Sequence, residues 1–99
     1  MARYRVVFWR EIPSLVEAFE GDRTVRTLLS QRFQDLIDTL AMRTGASSTE
    51  AYLEGWGHSA EVERPGSAES VAQQVAAELE ATFDRVLHDH LPDPSANPQ

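Results

Sequence analysis

The 99-residue sequence contains no cysteine, and this absence removes several classes of protein from consideration. Without thiols the chain can build neither a disulfide framework nor a cysteine-ligated zinc or iron–sulfur site, and it has no thiolate nucleophile. It also has no apolar run near the roughly 20 residues that span a bilayer, and no repeat at a solenoid period. The fold therefore depends on side-chain packing alone.

Basic residues are also few, because nine of them face sixteen acidic residues and leave a net charge of −7. This balance disfavours nucleic acid and anionic membranes as partners, since both need a basic surface. Apolar residues make up 41% and charged residues 25% of the chain, which is typical of a soluble globular domain. The N-terminal segment lacks the apolar region and cleavage site of an export signal, so we predict a cytoplasmic protein.

The first clear element is a strand over Arg3–Trp9, where β-branched and aromatic residues are concentrated. Alternation along this strand places Tyr4, Val6 and Phe8 on one face and Arg5, Val7 and Trp9 on the other. The second face is only half polar.

Two interpretations are open for residues 12–28. Ser14 and Glu17 could form the capping box of a helix. The alternative, which we prefer, is a hairpin of two strands, Leu15–Glu20 and Arg23–Leu28, that turns at Gly21-Asp22.

Two amphipathic helices follow from apolar spacing. The first has its stripe at Phe33, Leu36, Ile37, Leu40 and Ala41 and ends at Gly45. Ser30 is a candidate N-cap, but the stripe could extend backward, so the start is open between Asp22 and Ser30. The second begins at Ser67, and its stripe comprises Val71, Val75, Leu79, Phe83, Val86 and Leu87.

Between the helices, residues 47–50 resemble a capping box with room for one helical turn at most. Ala51–Trp56 and Ala60–Arg64 are predicted as two short extended segments that form a hairpin around Gly57-His58-Ser59. After His90, three prolines predict a disordered tail over 91–99. We therefore predict one α+β domain over 1–90, with a small, mainly antiparallel sheet and two amphipathic helices packed on one face.

No combination of residues indicates catalysis, a metal or a cofactor. His88 and His90 are two residues apart, so on a helix they point about 200° from each other and cannot chelate together. Glu61 and Glu63 share a strand face, but nothing there would desolvate a catalytic carboxyl group. Gly55 and Gly57 lack the third glycine of a phosphate loop. A nucleophile elbow for a hydrolase is also absent.

The tryptophans offer two alternatives. Core burial of one or both is the simpler, because large aromatic side chains are mostly buried. If the strands that end at Trp9 and Trp56 are neighbours, however, both indoles could lie on the sheet face away from the helices and form an aromatic patch. The candidate interaction surface then comprises Arg5, Val7, Trp9, Arg10, Tyr52 and Trp56.

Several segments resemble a small bacterial family, the conserved virulence factor domain, over roughly residues 3–83. They are the run from Tyr4 to Pro13, Arg32-Phe33-Gln34 with Ile37-Asp38 and Ala41-Met42, the run from Ala51 to Trp56, and the run from Glu63 to Ala68 that leads into Val71-Ala72.

The resemblance implies a bacterial, intracellular, adaptor-like protein and assigns no catalytic residue. Members of the family look like small stand-alone proteins or C-terminal parts of larger proteins with iron–sulfur scaffold-type domains. Because this chain has no cysteine, a connection to iron–sulfur chemistry would run through a partner. We therefore expect a non-enzymatic module that binds another protein or a second copy of itself. The alternative is a dimeric α+β barrel of ferredoxin-like pattern that binds or transforms a small molecule.

Overall fold

The structure, a computed structural model, describes residues 1–45 and 49–90. The chain order is three strands, two helices, two short strands and two helices: β1 (Ala2–Trp9), β2 (Ile12–Glu20), β3 (Arg23–Leu28), α1 (Gln31–Arg43), α2 (Thr49–Glu54), β4 (Trp56–His58), β5 (Val62–Arg64), α3 (Ala68–Glu80) and α4 (Phe83–His90). The predicted α+β class with an antiparallel sheet is confirmed. The described residues form four helices rather than two.

Strand β1 is the centre of the sheet. Its neighbour on one side is β2, which pairs in turn with the edge strand β3. On its other side β1 pairs with β4 near its end, through Val7 opposite His58, and with β5 near its start, through Arg3 opposite Glu63. All of these pairings are antiparallel. The sheet therefore has β3 at one edge and two short strands in line at the other.

The hairpin interpretation of residues 12–28 is confirmed, and the helix interpretation is wrong. Gly21 has a φ of 57°, which suits a residue without a side chain in a tight turn. The two-residue turn sets the register from Glu20 opposite Arg23 to Leu15 opposite Leu28. An irregularity in the β1–β2 register follows Val7, where the pairing skips Ser14.

Helix α1 begins after Ser30, as predicted, but the serine hydroxyl does not cap it. Both the backbone N–H and the hydroxyl of Ser30 donate to the Glu80 carboxylate, at 2.5 and 2.8 Å. Arg32 donates to the same carboxylate at 3.2 Å. The end of α3 is thereby tied to the start of α1.

The second predicted helix is divided in two. Ser67 caps α3 by accepting from the Ser70 N–H, and α3 packs across β2, β3 and β1. The helix ends at Glu80, the Thr82 hydroxyl donates to the Leu79 carbonyl oxygen, and α4 begins at Phe83. Phe83 meets Phe33 of α1 edge to face, with ring centroids 5.0 Å apart. The apolar stripe continues through the break because both parts bury it.

The segment between α1 and α3 differs most from the prediction. Residues 51–54 are helical rather than extended, because they belong to α2. Strands β4 and β5 do not form a hairpin with each other, since each pairs with β1. The chain forms three strands before its first helix, whereas the ferredoxin-like pattern of the barrel alternative places a helix directly after the first strand. Ser47, Ser48 and the predicted tail over 91–99 lie outside the described residues.

One cluster of buried side chains joins the sheet to the helices. Its largest fully buried members are Trp9, Ile12, Val16, Phe33, Ile37 and Val71. Within residues 1–45 and 49–90, no helix combines the length and apolar character that crossing a membrane requires.

Candidate functional site

The sheet has one face that α3 covers. On it, the Glu20 carboxylate accepts from the Ala68 N–H at 3.2 Å, Arg23 forms an ion pair with Glu69, and Arg64 contacts the Tyr4 ring. Because side chains alternate along a strand, the intervening residues point to the opposite face. We call that face the open face; on the three long strands it comprises Arg3, Arg5, Val7, Leu15, Glu17, Phe19, Thr24, Arg26 and Leu28.

A buried carboxylate lies at the centre of the open face. Arg5, Glu17 and Arg26 stand opposite one another on β1, β2 and β3. The Nε of Arg5 donates to one Glu17 oxygen at 2.7 Å, and the Nε of Arg26 donates to the other at 2.8 Å. The side chain of Glu17 is only 6% exposed, because the two arginines lie over it. We call these three residues the arginine clamp.

The clamp holds Glu17 in its ionised form. The hydrogen bond from Arg5 lowers the pKa of Glu17 below its ordinary value of 4.5, against the opposing effect of burial, and the charge of Arg5 and the contacts of Arg26 act in the same direction. A carboxylate between two guanidinium groups leaves the clamp with one positive charge in excess. Glu17 therefore fixes the positions of the two arginine side chains.

Arg26 has N–H groups that do not donate to Glu17. Its side chain is 69% exposed, and only its Nε donates to Glu17. Within the described part of the chain, its two terminal nitrogens have no hydrogen-bond partner. Arg5 is less free, because it lies 5.4 Å from the centroid of the Phe19 ring and 3.4 Å from the His58 Nε2. The fork of Arg26 is thus the part of the clamp that can bind an added anion.

An apolar row lies beside the clamp. Val7, Leu15 and Leu28 stand opposite one another on β1, β2 and β3. Leu28, at the sheet edge, is 75% exposed, whereas Val7 and Leu15 are half-buried. A partly exposed apolar row next to a positively charged group is a combination that binding surfaces use.

Trp9 does not contribute to this surface. Its side chain is fully buried, its Nε1 donates to the Tyr52 carbonyl oxygen at 2.8 Å, and its ring stacks on that of Tyr52 at 5.8 Å. A Cβ at Gly55 would lie 2.5 Å from the Trp9 Nε1. Core burial of this indole is therefore correct, and its expected exposure on the sheet is wrong, because α2 and Gly55 fold over it.

The other predicted surface residues lie in different places relative to α2 and the strand that follows it. Trp56 and Tyr52 are half-buried and meet edge to face at 5.9 Å. Arg10 is exposed, with a φ of 55° and its guanidinium 4.7 Å from the centroid of the Trp9 ring. Only Arg5 and Val7 of the six lie in or beside the clamp. The structure thus brings together two of the predicted residues and places the rest around α2.

The glutamates and the histidine that the sequence raised as possible catalytic or metal-binding residues lie on the surface. Glu61 forms an ion pair with Arg3 at 2.9 Å, Glu63 is exposed, and His88 lies exposed on α4. The described residues contain no group of three or more metal-binding side chains.

A pocket of about 340 Å³ lies beside the β1–β2 turn and α1. Arg32 lines a groove of about 230 Å³ between α1 and α4, away from the sheet.

Three important residues were not among the sequence candidates: Glu17, Arg26 and Leu28. The Gly21-Asp22 turn carries enough information to place Glu17 opposite Arg26, because a two-residue turn fixes the register. The Arg5–Glu17 pairing could not be obtained in this way, since the skipped Ser14 shifts the β1–β2 register by one residue.

The geometry defines a small α+β protein whose sheet has one face open. Comparison with known families identifies it further: the model of the Virulence factor family matches residues 7–89, and the chain belongs to that family. No curated protein and no solved structure matches the chain.

Proposed function

We propose that the protein is a non-enzymatic interaction module that binds another protein through the open face of its sheet. The observation that carries this proposal is the exposed Leu28 in a row with Leu15 and Val7, directly beside the arginine clamp. Of the large apolar side chains that the described residues expose (Met1, Leu28, Met42, Leu53 and Val62), Leu28 is the one that extends an apolar row across the open face. A partner that covers this row would remove that apolar surface from water.

The chemistry of the clamp also favours binding over catalysis. Its carboxylate accepts from an arginine on each oxygen and is only 6% exposed, so the arginines screen it from a substrate. Arginine is the residue type that planar anion recognition uses most, and all nine basic residues of this chain are arginines. The expected role of these residues is therefore to orient a partner.

Site-specific photo-crosslinking tests this proposal. Leu28 and Met42 have the same exposed fraction, 75%, but Met42 lies on α1 and not on the sheet. A benzophenone amino acid at position 28, in the protein expressed in its native host, should yield an adduct of one defined mass that is absent for position 42. Equal adducts from both positions, or none from position 28, would contradict an interaction through the open face.

A further inference from the structure

The charge of the chain is distributed unevenly. Residues 1–28, which form the three long strands, carry five arginines and four acidic residues, whereas residues 29–99 carry four arginines and twelve acidic residues. On the open face these strands present Arg3, Arg5 and Arg26, and Glu17 is their one acidic side chain there. At the β5 side of this face Arg3 forms an ion pair with Glu61 and stands opposite Glu63, so its charge is balanced there. The positive charge in excess on the open face is thus that of the arginine clamp, whose exposed member, Arg26, lies on β3.

Strand β3 is the accessible edge of this face. No described strand lies beyond it, and its burial alternates between exposed and half-buried. The Leu29 N–H donates to the Ser14 carbonyl oxygen at 3.0 Å, toward β2. In an antiparallel ladder the direction of the backbone groups alternates, so Thr24, Arg26 and Leu28 direct theirs outward. The edge therefore offers backbone partners to an added strand.

The outward backbone groups belong to the residues whose side chains lie on the open face. A strand added along β3 would form backbone hydrogen bonds with Thr24, Arg26 and Leu28 and place its own side chains next to theirs. The free guanidinium fork of Arg26 would face one of these side chains and Leu28 another. A carboxylate is the group that such a fork binds with two parallel hydrogen bonds.

We propose, on the basis of the function above, that the partner contributes an acidic extended segment that joins the sheet beside β3. The acidic side chains of this segment bind the terminal nitrogens of Arg26, and an apolar side chain covers Leu28. A second copy of the chain is a poorer occupant. A two-fold contact along β3 would bring the arginine clamps of the two copies, each with one positive charge in excess, toward each other.

Peptide binding by fluorescence anisotropy tests the proposal on the full chain. The probe is a labelled hexapeptide of alternating glutamate and valine, compared with peptides that have glutamine or lysine in place of glutamate. The glutamate peptide should bind most tightly, and its affinity should fall as salt is raised. Arg26→Gln should weaken this binding about tenfold, which corresponds to about 1.4 kcal/mol, while Arg85→Gln on α4 should leave it unchanged.

A proline variant tests the added strand separately from the charge. Thr24→Pro removes an outward N–H and no ladder hydrogen bond, so the protein should remain folded and lose affinity for the glutamate peptide. Urea unfolding of each variant checks that the fold is intact. Equal binding of the glutamate and lysine peptides, no binding of either, or full affinity in Arg26→Gln would overturn the acidic-segment proposal.

The two proposals fail in different ways. If position 28 crosslinks to one protein but the glutamate peptide does not bind, the open face is an interaction surface and the acidic segment is wrong. If light scattering gives twice the chain mass of 11.1 kDa and position 28 crosslinks to a second copy, the partner is the chain itself and the acidic segment is again wrong. If position 28 yields no adduct, the proposed function is contradicted.

Discussion

Replacement of Trp9 by alanine is expected to lower the free energy of unfolding by about 3–5 kcal/mol, the usual cost of removing a large aromatic side chain from a core. The indole is fully buried, and its N–H is bonded to the Tyr52 carbonyl oxygen. The substitution would leave a cavity beneath α2 and remove the partner of that carbonyl group. Urea unfolding monitored by far-UV circular dichroism measures the difference.

Trp56→Ala is the matched control, because it removes the same side chain from a half-buried position in β4. Its effect on the free energy of unfolding should be clearly smaller. If Trp9→Ala cost less than about 1 kcal/mol, the indole would not be a core side chain, and the packing of α2 against the sheet would be wrong.

Replacement of Glu17 by alanine should lower the free energy of unfolding by about 1–3 kcal/mol, the range for losing hydrogen bonds to a charged group. The loss is smaller than for a fully enclosed ion pair, because Arg26 is 69% exposed and water can take over its hydrogen bond. Arg5 is only 29% exposed, so water replaces its lost hydrogen bond less readily. Urea unfolding at neutral pH measures the change.

The lowered pKa of Glu17 makes the free energy of unfolding depend on pH. Because folding lowers the pKa of Glu17, its contribution is fully present above the unfolded value, close to 4.5, and is lost as the pH falls through the folded value. The difference in unfolding free energy between the wild-type protein and Glu17→Gln should therefore shrink in acid. A difference that stays constant from neutral pH into strong acid would show that Glu17 is not held ionised by the arginines.

Local signals predicted several elements correctly. The Gly21-Asp22 turn with Thr24 and Val25 on its return strand indicated the β2–β3 hairpin, and the spacing of Phe33, Leu36 and Ile37 indicated α1. These features depend on residues within one turn or one helix, so they can be obtained from a single sequence.

The features that were missed depend on distant contacts. Residues 51–54 are helical, and Tyr52 in this helix stacks on Trp9, which lies 43 residues earlier. The break after Glu80 carries neither glycine nor proline. Glu17 is held by Arg5 through a register that an irregularity shifts. Each of these depends on contacts with distant parts of the chain: the helix over 51–54 on β1, the α3–α4 break on α1, and Glu17 on the β1–β2 register. Local sequence patterns do not reveal such contacts.

Because Trp9 is buried, the proposed surface lies toward β3 and not at the β1–β4 side of the sheet where the sequence placed it. The apolar side chain available to a partner is Leu28 at the β3 edge, and the charged group available is Arg26 beside it. Both come from a strand that the sequence identified correctly and did not assign to the site.

Amide hydrogen exchange of the full chain, with and without the protein that position 28 captures, tests the open face most directly. Binding should slow exchange at Thr24, Arg26 and Leu28, whose N–H groups point away from β2, and should leave α4 unchanged. Unchanged exchange over residues 23–28, with slower exchange on α1 or α4 instead, would contradict a partner at this edge of the sheet.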